Sequence, residues 1–333
     1  MRILLIVILT AAAGWSGYWV VGSRATEDGL RDWLDARAGA GWLSEYSAVS
    51  TRGFPNRFDT TITGLELADP ATGVAWSAPF LQLHRLSYEP NHVIATWPDR
   101  QTLASPYQRL TVGTEKMQAS FVFVPGTDLQ LDRSSFVVNA LDVASTDGWS
   151  ATVDEVRLAT RSTAARAGSH DIGFEATSLR PKGTLLAELA DAGLVPGTFE
   201  RLKIDATVSF DAPWDRAAVE IARPAITGVE LNLLQANWGK LELWMAGDLT
   251  VDAAGVPSGK ITVKAKNWRE MLQLAVSAGW IPDSFAPTLE TGLELLAGLA
   301  GSPKTLDAPL TIRNGAVSFG PISLGQAPRL RLR

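Results

Sequence analysis

The stretch WGKLELWMAGDLTVDAAGVPSGKITVKAKNW, residues Trp238–Trp268, decides the fold of this chain. Apolar and polar residues alternate along its first arm as far as Asp252, and the alternation resumes at Lys260 after a loop rich in turn-forming residues. Side chains on a strand point alternately to the two faces of a sheet, so this period of two predicts a long antiparallel hairpin with one apolar face. A register with Asp252 opposite Lys260 also brings Asp248 opposite Lys264, and we predict that pairing.

The apolar face of this hairpin carries the residues that we expect to contact lipid acyl chains. A sheet satisfies its backbone hydrogen bonds laterally, so one apolar face can offer hydrocarbon a dry surface. A filled core, covered by helices or by a second layer, has the same sequence pattern, and the sequence leaves both interpretations open. The candidate residues of this lipid groove are Leu241, Leu243, Met245, Leu249, Val251, Ile261 and Val263.

Short alternating runs separated by Gly, Pro, Asn and Asp continue through most of the chain. They predict consecutive strands of an antiparallel meander, and a change of phase at Gly64 predicts a β-bulge. The expected fold class is mainly β (α+β): an elongated, curved antiparallel sheet with a few short helices and an N-terminal transmembrane helix. The runs lie at Arg57–Asp69, Val74–Tyr88, Val93–Trp97, Arg109–Val124, Leu129–Val143, Ala151–Arg161 and Ile172–Leu179.

The second half of the chain contains a repeated segment. AGLVPGTF at Ala192–Phe199 and AGWIPDSF at Ala278–Phe285 share a glycine, a proline and a phenylalanine at matching positions. Glycine closes a helix in the left-handed conformation and proline prevents its resumption, so each copy predicts the end of a helix. The helical runs Leu185–Ala192 and Met271–Ala278 precede the two copies, and this spacing favours a duplicated helix–turn unit.

The apolar N-terminal run, the alternating runs and the repeated segment divide the chain into three regions. We expect a membrane anchor at residues 1–25, a first β-rich half at 26–180, and a second β-rich half with the duplicated unit at 181–333. The remaining predicted elements are a helix at Thr288–Leu299 and two short strands about an Asn314-Gly315 turn within Leu310–Leu324.

The N-terminus carries an uncharged apolar run, Ile3–Val21, which as a helix is about 28 Å long and close to the thickness of a bilayer core. A cleavable signal peptide also matches, since Arg2 supplies a positive charge and small residues lie at Ala11–Gly14. We expect a retained anchor, because the run continues into aromatic residues typical of a membrane interface, and a separate juxtamembrane helix capped at Thr26. The body then lies in the periplasm, on a single pass through the inner membrane. The anchor residues are Ile3, Leu4, Leu5, Ile6, Val7, Ile8, Leu9, Trp15, Tyr18 and Trp19.

Composition argues against several functional classes. A net charge of -5 with interspersed acids and bases gives no basic surface for nucleic acid, and the absence of cysteine excludes disulfides and thiolate sites. His84, His92 and His170 stand in no metal-ligand spacing, so we expect neither a metal site nor a cofactor. Ser169 and Asp171 flank His170, but neighbouring residues of a strand point to opposite faces, so we assign no catalytic residues and expect no enzyme.

Three segments of the chain carry a family resemblance: GFPNRFD at Gly53–Asp59, GDLTVDAAGVPSGKITVKAKNW at Gly247–Trp268 and LTIRNGAVSFGPISLG at Leu310–Gly325. With the N-terminal anchor, they resemble an uncharacterised bacterial envelope family, domain of unknown function 2125. The last two also resemble strand–turn motifs of AsmA-like proteins, which are anchored in the inner membrane and whose curved apolar groove is taken to hold lipid chains. The resemblance implies a non-enzymatic envelope protein that binds or shuttles acyl chains. The alternative is a structural or assembly protein with a filled core and a protein partner.

Overall fold

The computed structural model describes residues 1–163, 166, 168–183, 196–279, 281–299, 303–320 and 322–332. Most of these residues form antiparallel β-strands, and one long apolar helix precedes them, so the predicted mainly β class is confirmed. The chain divides into two compact units. The first comprises Met1–Phe123 and Phe136–Gly148, and the second comprises Val124–Ser135 and Trp149–Arg333. The division at residue 180 that the sequence suggested stays a prediction.

The first unit begins with helix α1, Arg2–Gly39, which runs without a break for 38 residues. The apolar side chains of its first turns are exposed. Further along, Leu34 is 1% exposed and packs against Val49, Ile62 and Leu65. The C-terminal part of the helix is therefore part of the core of this unit.

The prediction of a separate juxtamembrane helix after the apolar run is wrong, because α1 continues through this region to Gly39. The hydroxyl of Thr26 donates a hydrogen bond to the carbonyl of Gly22, one turn earlier in the same helix, instead of capping a new N-terminus. Threonine in a helix can satisfy its hydroxyl in this way, so its presence does not require a helix boundary.

The sheet of the first unit is more branched than a meander. Its strands are β1 Leu43–Glu45, β2 Ala48–Arg52, β3 Arg57–Asp69, β4 Val74–Leu86, β5 Glu89–Thr96, β6 Arg100–Ala104, β7 Arg109–Gly113 and β8 Lys116–Phe123, with β9 at Leu131–Ser145. Strand β3 pairs with β1, β2 and β4, and β4 pairs with both β5 and β6. Strand β5 pairs with β8, so the expected run of consecutive neighbours is wrong here.

The phase change at Gly64 is present, but the predicted bulge is not. The β3–β4 register runs unshifted past this point, from Thr63 opposite Phe80 to Leu65 opposite Ala78. Gly64 has φ of +62°, a left-handed conformation that glycine adopts at no steric cost. At Gly64 the buried residues of β3 therefore change from even-numbered to odd-numbered positions, while the residue pairing with β4 continues without an inserted residue.

The second unit is a regular antiparallel meander. Each strand from β10 to β18 pairs with its sequence neighbours. The strands are β10 Ser150–Ser162, β11 Ser169–Lys182, β12 Phe199–Phe210, β13 Ile226–Trp238, β14 Leu241–Val251, β15 Pro257–Lys266, β16 Thr305–Arg313, β17 Ala316–Phe319 and β18 Ile322–Gln326. The described helices of this unit are α2 Arg216–Glu220, α3 Trp268–Ser277 and α4 Ala286–Leu299.

The central hairpin forms as predicted, but its register differs. Asp248 lies opposite Lys260 and Trp244 lies opposite Lys264, four residues away from the predicted pairing. Asp252 closes the turn instead of facing a lysine, since its carboxylate accepts the backbone N–H groups of Ala254 and Val256, each at 2.8 Å. A shift of four residues preserves the parity of a strand, so the apolar residues still share one face.

The second copy of the repeated segment ends a helix as expected. Gly279 has φ of +71°, its N–H donates to the carbonyl of Val276, and Ile281 packs onto the neighbouring core. The helix Leu185–Ala192, which the first copy was expected to end, lies outside the described residues. The duplication therefore stays a prediction.

Candidate functional site

The chain passes from strand β15 onto the apolar face of the hairpin through Asn267. This residue has φ of 58°, and its side-chain amide donates to the carbonyl of Lys240 at 2.5 Å. The bond ties the start of α3 to the start of β14, so the helix lies back across the sheet. Trp268, at the first position of α3, is 2% exposed and donates its indole N–H to the carbonyl of Pro303.

Helices α3 and α4 cover part of the predicted groove with an ordinary core. The buried residues of this core come from both helices and from β15, β16 and β17, and Leu243 and Val263 of the predicted groove pack against them. The buried residues are Ala265, Trp268, Leu272, Leu289, Ala297, Leu306, Ala308 and Phe319.

A cavity of about 410 Å³ remains beside α3, between the helix and strands β11 to β14, and we call it the α3 cavity. Its size lies within the range of about 300–1,000 Å³ typical of small-molecule sites. Among its described lining residues, the one N–H or O–H group of a side chain is the indole N–H of Trp238, which donates to the carbonyl of Pro196 at 2.7 Å. The lining residues are Ala176, Leu179, Phe199, Leu202, Ala236, Trp238, Leu241, Leu243, Met271, Leu274, Ala275 and Ala278.

A second apolar cavity, of about 450 Å³, lies on the α4 side of α3, and we call it the α4 cavity. Met271 lines both cavities. Its unbranched thioether side chain is the kind that adapts to irregular gaps in apolar regions. Among the other lining residues are Met245 and Val263 of the sheet and Phe285, Leu289 and Leu293 of the α4 segment.

The seven predicted groove residues therefore separate into four groups. Leu241 and Leu243 line the α3 cavity, and Met245 and Val263 line the α4 cavity. Leu249 instead lines a hollow of about 520 Å³ whose other walls include Arg166, Glu230 and Asp248. The last two line neither apolar cavity and are 8% exposed: Val251 and Ile261.

Sequence reasoning missed the wall that β13 contributes to the α3 cavity. The register between β13 and β14 shifts between Leu231 and Leu234, so the alternation along β13 changes phase in the middle of the strand. Ala236 and Trp238 lie beyond this shift. Treating the residues before and after the shift as two separate alternating runs would have assigned Ala236 and Trp238 to the apolar face.

Charged side chains lie outside the two apolar cavities. No charged residue is among the described lining residues of either one. Glu242 pairs with Lys266 at 2.9 Å on the opposite strand, and Glu200 accepts the backbone N–H of Gly239 at 2.7 Å. Arg269 lies over the ring of Trp268. The described walls of the cavities can therefore hold hydrocarbon, and they offer no charged side chain to a ligand.

The sequence Ser169-His170-Asp171 does not converge into a triad. Ser169 forms a hydrogen bond with Ser209, and Asp171 accepts one from Thr207. His170 pairs with Val208, whose side chain points to the opposite face of β12 from Thr207 and Ser209. The ring of His170 is 6% exposed, and burial lowers the pKa of this imidazole below its usual 6.5. Within the described part of the chain, no three His, Asp or Glu side chains gather as metal ligands.

Comparison with known proteins identifies a family but brings no activity. A family model described as "Uncharacterized protein conserved in bacteria (DUF2125)" matches residues 19–328. No curated protein and no solved structure matches the chain. The resemblance to AsmA-like proteins stays a hypothesis.

Proposed function

We propose that this chain, which belongs to the DUF2125 family of uncharacterised bacterial proteins, is a membrane-anchored envelope protein that holds a lipid acyl chain in the α3 cavity. The observation that carries the proposal is the lining of that cavity, twelve described residues without a charged side chain around about 410 Å³. Such a site selects a ligand by its hydrocarbon and not by a headgroup.

The energetics favour an alkyl chain over a polar ligand. Moving one methylene from water into an apolar site is worth about 0.8 kcal/mol, so several methylenes suffice for appreciable affinity. Against the described lining residues a polar ligand would lose its hydrogen bonds to water without replacement, because the indole N–H of Trp238 is already bonded to Pro196. The matching ligand is therefore the acyl chain of a lipid.

The N-terminal helix supports the membrane part of the proposal. α1 is long and apolar enough to cross a bilayer, and the same feature is compatible with a signal sequence. The apolar segment continues directly into the turns that form the core of the first unit through Leu34. We propose that the segment is retained, with Arg2 on the cytoplasmic side and the body in the periplasm.

A second candidate function is a structural or assembly role with a protein partner. The observation that favours it is the core that α3 and α4 form over Leu243 and Val263, since a filled face needs no ligand. The two candidates differ in one measurable property, the presence of lipid beside α3.

The deciding experiment places a photo-crosslinking amino acid at Leu243 or at Leu274 in the full chain, in bacterial membranes. The matched control is Gln273, which is exposed on the same helix. Lipid adducts at both cavity positions, in excess over the control, would support the acyl-chain site. A folded protein without adducts at either cavity position would favour the structural role.

A cavity-filling variant provides an independent measurement. In Ala275→Phe the ring enters the α3 cavity, whereas Gln273→Phe adds the same ring to the exposed side of α3. If the ring displaces two methylenes of a bound chain, the loss of about 1.6 kcal/mol lowers binding about 15-fold. Lipid that co-purifies with Ala275→Phe should fall accordingly, while Gln273→Phe should retain the wild-type amount.

A further inference from the structure

Aromatic side chains in the apolar part of α1 are hydrogen-bonded to one end of the first unit. Their partners are backbone carbonyls in the loop before β3, at the first residue of β3 and in the turn after β4. We call residues 53–57 and 87–88 the tip. The bonds run from Trp15 Nε1 to the Pro55 oxygen at 2.9 Å, from Trp19 Nε1 to the Arg57 oxygen at 2.8 Å, and from the Tyr18 hydroxyl to the Ser87 oxygen at 2.6 Å.

Close packing holds α1 against the tip as well. The ring of Trp19 stacks on Phe58 with centroids 5.8 Å apart, and it meets Phe54 edge-on at 5.6 Å. A Cβ added at Gly22 would lie 2.7 Å from the Phe58 ring, so the helix backbone comes as near as glycine permits. Helix and tip are therefore fixed to each other from Trp15 onward.

The length of α1 then determines how deep the tip lies in a membrane. At 1.5 Å per residue, the helix covers only about 18 Å between Ile3 and Trp15, against about 30 Å for the hydrocarbon core of a bilayer. A span that fills the core must extend to about Val21, which places Trp15 and Trp19 inside the membrane boundary. The tip residues bonded to these tryptophans must lie at the same depth.

The surface of the tip suits that depth. Phe54 is 54% exposed and Tyr88 is 65% exposed, and aromatic side chains are enriched where hydrocarbon meets the headgroups. The indole N–H groups of α1 need no lipid partner, since the tip carbonyls accept them. Arg57 pairs with Asp59 at 2.9 Å while its side chain stays 53% exposed, so its stem can lie along hydrocarbon and its guanidinium can reach phosphate.

We propose that the tip of the first unit is embedded in the bilayer that α1 crosses, from the headgroup region into the adjoining hydrocarbon. The proposal rests on the membrane anchoring in the proposed function, and it is independent of the α3 cavity. The embedded tip would set the height and tilt of the first unit at the membrane surface, which a single flexible anchor cannot do.

The chain has no cysteine, so single cysteines can report depth without a background. Nitroxide labels would be attached to Phe54→Cys and Tyr88→Cys in the full chain, reconstituted in vesicles of phosphatidylethanolamine and phosphatidylglycerol. Collision with oxygen, which concentrates in lipid, is compared with collision with a water-soluble nickel complex. Both tip positions should be shielded from nickel several-fold and accessible to oxygen.

The matched control is Tyr107→Cys, which replaces the same residue type at a position that is 88% exposed. Tyr107 follows Pro106, which lies against Gly73 at the Asp69–Val74 end of the β3–β4 hairpin, whereas the tip lies at the Arg57–Leu86 end. The two ends are about 40 Å apart at 3.3 Å per residue. The label at Tyr107 should collide freely with nickel.

A fourth label, at Ile6→Cys, tests the membrane span separately from the embedded tip. If Ile6 is shielded from nickel while both tip positions match Tyr107, the span exists but the embedded tip does not, and the inference is overturned. If Ile6 is itself accessible to nickel, α1 does not cross the bilayer, and the anchoring in the proposed function fails together with the inference.

Discussion

Two glycines in the central hairpin provide the sharpest test of its observed register. Gly247 lies opposite Ile261 and has φ of +153°, and Gly259 lies opposite Leu249 with φ of +154°. A Cβ at Gly247 would overlap the carbonyl oxygen of Lys260 and lie 2.7 Å from the Cα of Ile261. We therefore expect Gly247→Ala to destabilise the hairpin, because neither the backbone conformation nor the space accepts a methyl group.

The magnitude follows from the two costs together. A non-glycine residue held in so sparsely populated a region costs about 1–3 kcal/mol, and moving the opposing backbone adds to it. A loss of about 2 kcal/mol corresponds to about a 30-fold increase in the population of the opened hairpin. Gly173→Ala is the matched control, since Gly173 lies in β11 of the same unit and an added Cβ meets nothing within 4 Å.

Hydrogen–deuterium exchange of the full chain, read by mass spectrometry on peptides from β14 and β15, measures this opening directly. Gly247→Ala should accelerate exchange in these peptides by about 30-fold, and Gly173→Ala should leave them unchanged. In the register expected from sequence, Gly247 would face Ala265 instead of Ile261. Wild-type exchange in Gly247→Ala would therefore show that the close approach to Lys260 does not exist and that the observed register is wrong.

Three further predictions concern single positions. Leu34→Ala should destabilise the first unit by about 2–5 kcal/mol, because it opens a gap between α1 and strands β2 and β3. Asp35→Ala, at an exposed position, should leave the stability unchanged. Equal urea unfolding midpoints for the two variants would contradict the packing of Leu34. Burial lowers the pKa of His170 in the folded chain, so below about pH 6.5 the unfolded chain binds a proton at this imidazole more readily than the folded chain, and stability should fall as the pH drops. His170→Phe should reduce the dependence of the thermal unfolding midpoint on pH in that range. A dependence as steep as that of the wild type would refute the assignment. Glu242→Lys removes an exposed pair worth about 0.2–1 kcal/mol and should be tolerated, whereas Leu243→Asp places a charge against the α3 core and should prevent folding; similar yields of both folded variants would contradict the assigned faces.

The hairpin shows which parts of a sheet a sequence specifies and which it does not. Alternation determines which residues share a face, and Leu241 to Val263 kept theirs. Register depended on what Asp252 does, and a turn aspartate that binds Ala254 and Val256 has the same sequence signature as one that faces a lysine. A four-residue shift leaves every side chain on its original face, so the hydrophobic pattern could not detect it.

Other differences have equally local causes. At Gly64 a left-handed glycine produced the loss of phase that a bulge would also produce. In β13 a true register shift near Leu231 obscured the strand. The length of α1 could not be predicted because Thr26 satisfies its hydroxyl within the helix, while its residue type suggested a cap. At Gly64 and at Thr26 one residue type serves two conformations, and only its partners decide between them.

Whether helices fill the apolar face of a sheet depends on the width of the sheet and the width of the helices packed on it. The pattern of apolar residues along the sequence contains neither width. Strands β11 to β17 are seven neighbours, and at about 4.8 Å per spacing their sheet is about 29 Å wide. Among the described residues, two helices of about 10 Å diameter, α3 and α4, can cover about 20 Å of that width. The remaining strip of about 9 Å is apolar where Leu179, Leu202 and Ala236 line it, so water alone would be a poor occupant. The α3 cavity is therefore where a filled core and a lipid site diverge, and labelling at Leu274 distinguishes them.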